Sequence, residues 1–169
     1  KLIADSMMLS KLGQIDAAQS AKNLTSTMKG YEISVDDATD IVDKFTAVDM
    51  AAAVSAGDIA TAMAECAVSA NVAGIEIDRL TGYIARVSET TQDGAESVGT
   101  FYRTLFARMG NIKAGRLFDP ETEEDLSDVE TVLSGAGIAL RDTKDNFRDF
   151  GDVLDEVASR WDGYSDVQQ

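Results

Sequence analysis

Histidine is absent from these 169 residues, while cysteine and proline each occur once. No apolar run approaches the roughly 20 residues that a membrane-spanning helix needs. Each shortage removes a class of chemistry. Without histidine there is no Ser-His-Asp triad, no Cys-His pair and no imidazole metal site. The single cysteine, Cys66, excludes an internal disulfide framework. It lies in AMAECAVSA, among small apolar residues, and reads as a buried core thiol. Positive charge is also scarce: 15 Lys and Arg stand against 30 Asp and Glu, a net charge of −15. A phosphate backbone is repelled by such a surface, so no direct nucleic-acid binding is expected of this region. No membrane segment is expected either.

Alanine is abundant, and with one proline the composition favours helix. Apolar residues recur at three and four, the helical spacing. Met8, Leu9 and Leu12 form one stripe, which Gly13 stops. Ala17, Ala21, Leu24 and Met28 form the next, followed by Ala38, Ile41, Val42, Phe45 and Val48. Then come Ile59, Ala62, Met63, Cys66, Ala67 and Ala70, and after them Leu80, Tyr83, Ile84 and Val87. The densest stripe is Val98, Phe101, Tyr102, Leu105, Phe106 and Met109. Its Phe101, Leu105, Phe106 and Met109 are expected to anchor an otherwise alanine-rich core. Leu126, Val129, Val132 and Leu133, and then Phe150, Val153, Leu154, Val157 and Trp161, complete the series. The reading is an all-α, compact bundle of about eight short antiparallel helices. Residues 1–118 form a helical core of about six helices; residues 119–169 hold an acidic linker, a helix, a small hairpin and a last helix. The chain lacks an initial Met, and its final GYSDVQQ looks like the start of another helix, so we read it as a piece of a longer protein.

One phrase repeats. GYEISVDDA begins at Gly30, GIEIDRLTG at Gly74, and a fainter GIALRDTKD at Gly137. Glycine after a helical stripe suits the left-handed residue that ends a helix. Tyr31 or Ile75 then folds back on the finished helix, and Ser34 or Asp78 caps the next one. Ser34 to Asp37 resembles a capping box, and Ile15-Asp16 repeats the entry signal. The phrase is therefore a short helix–helix connector with no catalytic part.

Two segments break the helical pattern. DPETEEDLSDVE, from Asp119 to Glu130, reads as a solvated acidic linker; it lacks the ligand alternation of a calcium loop. In IALRDTKDNFRDF, Ile138 and Leu140 alternate with Ala139 and Arg141, and DTKDN supplies a turn. A β-hairpin near residues 138–147 is expected, closing with Phe147. Asp142, Asp145 and Asp149 are poorly spaced for a metal and Lys144 intrudes, so a polar turn is the reading. No catalytic, cofactor-binding or metal-ligating residue is expected anywhere in the chain, and no cofactor.

The order of these pieces resembles the helical core region of tail tape-measure proteins of tailed phages and prophages. AAQSAKNLTSTMKGYEISVDDATDIVDKF is similar to the helix, connector and helix of that family, with Gly30, Tyr31, Ile33, Ser34 and Ala38 in the matching places. NVAGIEIDRLTGYIARVSETTQDGAESVGTFYRTLFARM is similar to the helices that follow there, and GIALRDTKDNFRDFGDVLDEVASRWDGYSDVQQ to the segment after them. The resemblance covers about Ala17 to Gln169; Asp145 stands where the family often has Gly. It implies a structural, non-enzymatic protein inside the virion tail, made in the host cytoplasm during assembly. It implies several copies together, and contacts with tail tube proteins, tail-tip proteins and tail assembly chaperones. The whole protein's length would set tail length, and the protein would leave the tail when DNA is delivered. The competing reading is a helical ligand-binding or adaptor domain of a bacterial protein without a phage role, with a pocket among Tyr83, Arg86, Tyr102 and Arg103.

Overall fold

A computed structural model describes residues 1–116 and 128–164. Its elements run α1 (Leu2–Gly13), α2 (Ala17–Gly30), a 3-10 turn (Val35–Asp37), α3 (Ala38–Asp49), α4 (Ala56–Ala73), α5 (Ile77–Thr91) and α6 (Ala95–Lys113). Then follow α7 (Val129–Gly135), β1 (Arg141–Thr143), β2 (Asn146–Phe147), α8 (Phe150–Arg160) and a closing 3-10 turn (Trp161–Gly163). The fold is all-α with a single small hairpin among the described residues. That hairpin lies where alternation placed it: Arg141 pairs with Phe147 and Thr143 with Asn146, and the Arg141 guanidinium lies 4.0 Å from the Phe147 ring centre. The acidic segment at 119–127, with Leu126, lies outside the described residues.

Helix α4 is the hub. It packs most extensively against α6 and α2, and also meets α1, α3 and α5. Ala60, Ala62, Met63, Cys66, Ala67 and Ala70 are all buried on it. The closest approaches use glycine. A Cβ on Gly30 would lie 2.5 Å from the Ala67 Cβ, and one on Gly99 only 2.6 Å from the Ala62 carbonyl oxygen. Gly13 and Gly57 meet in the same way where α1 crosses the start of α4. These glycines sit in helices, where they cost propensity, and what they allow is backbone-to-backbone contact.

The connectors share one hydrogen-bond pattern. The Ile33 N–H donates to the Met28 carbonyl (2.8 Å), Ile75 to Ala70 (2.9 Å) and Ile138 to Leu133 (2.8 Å); Ile15 does the same to Ser10 (3.2 Å). In each case the residue before the isoleucine is left-handed: Glu32 (φ 56°), Gly74 (φ 86°), Gly137 (φ 77°) and Gln14 (φ 54°). This is a Schellman ending, in which the returning N–H satisfies a carbonyl the helix leaves open.

The equivalence of the first two phrases therefore differs from the expectation. Gly30 is not the left-handed residue; it is the last residue of α2, held helical against α4, and Glu32 takes the left-handed turn. Gly13 likewise lies within α1, and Gln14 ends it. Asp78 does not cap α5. The N-cap is Glu76, and Asp78 sits in the first turn, paired with Lys44. Ser34 caps the 3-10 turn that leads into α3, accepting from the Asp36 N–H (3.2 Å), while Asp37 is the N-cap of α3 itself; Asp16 caps α2, accepting from Ala18 and Gln19 (2.8 and 3.3 Å). The first two connectors also touch: Tyr31 Oη donates to the Ile75 carbonyl (3.0 Å).

The core bears out part of the stripe reading. Phe45, Phe106, Leu9, Leu24, Met63 and Ile84 are fully buried. On α6 the buried arc is Val98, Tyr102, Phe106 and Met109, spaced 4, 4 and 3. Leu105 flanks it, half-buried, and Phe101 is 53% exposed. Phe101 is thus no core anchor, since it lies about 100° round the helix from Tyr102. On α1, Met8 and Leu12 are exposed and only Leu9 of the expected stripe is buried. Ala17 and Trp161 also face outward. The buried side of α2 carries instead the polar row Ser20, Asn23 and Thr27. Ser20 Oγ donates to the Ser6 carbonyl (2.6 Å) and Asn23 Nδ2 to Thr61 Oγ1 (2.9 Å), which offsets their desolvation.

Three expectations follow. Gly99→Ala would drive a Cβ into the Ala62 carbonyl and should destabilise by about 1–3 kcal/mol, although Gly→Ala in an open helix is favourable. Glu32→Gly, at an exposed left-handed position, should stabilise by roughly 0.5–1 kcal/mol. Urea melts of the two variants check both signs. Phe106→Ala should cost about 3–5 kcal/mol in the same assay.

Candidate functional site

The richest side-chain cluster forms where α8 docks on α5 and α6. Phe150 opens α8 and meets Phe106 edge-on, with ring centres 6.2 Å apart. Phe106 stacks on Tyr102 (5.6 Å), and Tyr102 lies 6.4 Å from Tyr83. Tyr102 Oη donates to the Tyr83 carbonyl (3.1 Å), and Tyr83 Oη to Asp155 (2.7 Å). Arg79 reaches from α5 to Asp149 (2.8 Å) and Asp152 (2.9 Å), with Asp155 at 3.7 Å. Asp149 is also the N-cap of α8, accepting from the Asp152 N–H (3.0 Å). The second residue of α8 is Gly151, and a Cβ there would collide with the Arg79 side chain. Local sequence explains the arrangement: DFGD supplies a cap, an aromatic anchor and a bare position over which the guanidinium lies.

Electrostatics agree with a docking role. The bond to Asp152, above all, holds the Arg79 guanidinium above its ordinary pKa. Desolvation, then the bond to Asp155, pushes the Tyr83 phenol well above its usual range; burial does the same for Tyr102. These hydroxyls stay protonated and act as donors. Cys66 is buried, its Sγ set against the Ala62 carbonyl at 3.2 Å, and desolvation pushes its pKa up to about 12. A thiolate nucleophile is disfavoured there.

The four residues of the competing pocket do not converge. Tyr83 and Tyr102 belong to the docking cluster, Arg86 lies 3.8 Å from Glu89, and Arg103 lies 3.4 Å from Glu65 on α4. A groove of about 560 Å³ lies elsewhere, between the α3–α4 and α5–α6 loops. Its carboxylates brace the loops that form it. Glu89 accepts from the Ala53 N–H (2.8 Å), Asp49 from the Ala56 N–H (3.0 Å), and Asp58 from Ser55 Oγ (2.7 Å). Asp142 and Asp145 sit on the exposed hairpin, while Asp149 is engaged by Arg79. Among the described residues no group of three acidic or sulfur side chains is placed to hold a metal ion. Nor is any described helix long and apolar enough to cross a membrane.

The polar clusters of this all-α scaffold tie its own helices together. The match to known sequences is specific: the family model described as phage-related minor tail protein covers residues 1–169, and the chain belongs to that family. It is thereby a structural component of a phage tail, a membership that suggests a non-enzymatic role and interaction with other tail proteins. No solved structure matches the chain.

Cys66, Tyr31, Tyr83 and Tyr102 all have raised pKa values in the fold. Each favours the folded state while the unfolded chain is also protonated. That contribution is lost as pH rises, first above roughly 8.5, where a free thiol ionises, and then above about 10, where free tyrosine does. Urea midpoints should therefore fall steadily from pH 8 to pH 10.5, and a flat profile would contradict the burial of these groups.

Proposed function

We propose that this chain is part of the tail tape measure, the minor tail protein whose overall length sets where the tail tube stops. On this reading it lies in the tail interior, in several copies, and meets tube and tip proteins and assembly chaperones. The observation that carries the reading is the ordered run of helix, connector and helix pieces from Ala17 onward, together with a minor-tail family match over the whole chain. Catalysis and cofactors have no part in it. Residues 1–118 act as the helical core and residues 119–169 as an appended acidic segment, hairpin and helix.

A bundle of this length has a radius of gyration of about 15 Å, so several copies side by side would crowd a narrow tube. Either the bundle sits at one end of the tape, or its helices separate and string out. Alanine-rich contacts are individually weak, and a net charge of −15 opposes compaction, most strongly at low salt. Both features favour opening.

Disrupting the gene in the phage or prophage should abolish tails or leave their length uncontrolled, as seen by electron microscopy. Tails of parental length formed without it would overturn the reading. An in-frame tandem duplication of the 169 residues then separates the two arrangements. Strung-out helices should lengthen the tail by up to about 250 Å, at ~1.5 Å per residue, whereas a terminal bundle should leave the length unchanged.

A further inference from the structure

Helix α8 is held by two sets of charges, and the sets differ in shelter. Toward the bundle, Arg79 of α5 is shared among Asp149, Asp152 and Asp155, whose side chains are 43%, 58% and 54% exposed. Toward the hairpin, Glu156 pairs with Arg148 (2.7 Å) and Arg160 (2.5 Å), and the Glu156 and Arg148 side chains are only 21% and 24% exposed. The same two guanidiniums donate to the connector ahead of the strands, Arg148 to the Ala139 carbonyl (2.8 Å) and Arg160 to the Gly137 carbonyl (2.8 Å). The Arg148 N–H also donates to the Leu140 carbonyl (2.9 Å). Exposed pairs are weak and screened by salt, and sheltered pairs are screened much less. The tie between α8 and the hairpin therefore outlasts the tie between α8 and α5.

Backbone packing points the same way. The closest helix contacts lie among α1–α6, around α4. Helix α8 reaches α5 and α6 by side chains: Phe150 edge-on to Phe106, the Arg79 fork, and Tyr83 Oη on Asp155. We propose that residues 137–160, the hairpin with α8, form a strap that lifts from α5 and α6 as one piece while α1–α6 stay packed. The Arg79 fork parts first and Phe150 follows. The closed form predominates, since Phe150 and Val153 are buried in it, and lifting is a local opening that costs less than unfolding the bundle. It takes Phe150 from Phe106 and Asp155 from Tyr83, and so opens the row Tyr83, Tyr102 and Phe106 to a partner. The strap thus controls access to the largest aromatic cluster of the protein. The inference uses the Arg79 and Glu156 contacts alone, so it stands or falls separately from the tape-measure reading.

Hydrogen exchange of the 169-residue chain, followed amide by amide by NMR, tests it. Arg79→Gln should speed exchange about tenfold throughout α8 and also at the hairpin amides, Arg148 N–H among them, although the hairpin does not touch Arg79. Amides of α2 and α4 should change less than about twofold. Glu156→Gln should part the two halves of the strap, with hairpin amides then exchanging faster than those of α8. In the unmodified chain, raising salt from about 0.05 M to about 0.5 M should speed the strap and not α4. Acceleration by Arg79→Gln confined to the first turn of α8 overturns the proposal, because the helix then only frays. Equal acceleration of α4 overturns it too, because strap and bundle then open together. Equal hairpin and α8 rates in Glu156→Gln overturn the one-piece movement. A hairpin that exchanges no faster than α4 in the unmodified chain overturns the strap whatever the variants do.

Discussion

Everything in this bundle is arranged around how closely backbones can approach α4. Where Gly30 meets Ala67 and Gly99 meets the Ala62 carbonyl, there is room for no side chain at all. Close approach brings many weak dispersion contacts, but alanine and glycine remove little apolar area from water, so each contact stabilises less than a leucine would. The large side chains that add area stand off this seam. Phe45 lies on α3, and the row Tyr83, Tyr102, Phe106 and Phe150 lies on the α5–α6–α8 side. The core is therefore of two kinds, a tight small-residue seam and an aromatic layer against which α8 docks.

The connectors make this packing possible in few residues. A left-handed residue ends one helix, an isoleucine returns its N–H to the helix and turns its side chain toward the core, and the next residue is the N-cap of the following turn or helix. Glu32-Ile33-Ser34 and Gly74-Ile75-Glu76 are the matched triplets, and Gln14-Ile15-Asp16 follows the same order. Three residues thus satisfy open carbonyls, place an apolar staple and start the next element. The bond from Tyr31 to the Ile75 carbonyl joins two such corners, so the repetition seen in the sequence becomes a contact in space.

Helix type and order were legible because periodicity reports which side of a helix is buried, and the hairpin was legible from alternation and turn residues. The errors have physical causes. Gly30 looked like a helix terminator because glycine serves both left-handed turns and close packing, and only the neighbouring helix decides between them. Phe101 looked like core because residues at 3 and 4 fill an arc wider than the one α4, α5 and α8 cover. The buried Ser20 and Asn23 were invisible because their partners, the Ser6 carbonyl and Thr61, come from other helices. The Arg79 cluster had a faint local signal in DFGD, but its arginine lies 70 residues earlier. On α1 the excess of apolar residues was visible, yet which of them would be buried was not.

The joints of this protein respond to salt with opposite signs. The seam around α4 is mostly small apolar side chains, with one exposed pair, Arg103 and Glu65, at its edge, and what opposes it is the mutual repulsion of a chain carrying −15; added salt screens that repulsion and tightens the bundle. The hold on α8 is partly ionic: one guanidinium shared among Asp149, Asp152 and Asp155, on the surface, where each pair contributes about 1 kcal/mol or less and is itself screened. Salt therefore strengthens the central helices while loosening the last one. Phe150 keeps part of the docking independent of charge, so α8 loosens from its capped end without baring the aromatic row all at once. If the bundle opens, as in the strung-out arrangement proposed above, such a division would localise the first step at the Arg79 contact and leave the glycine seam of α4 for last.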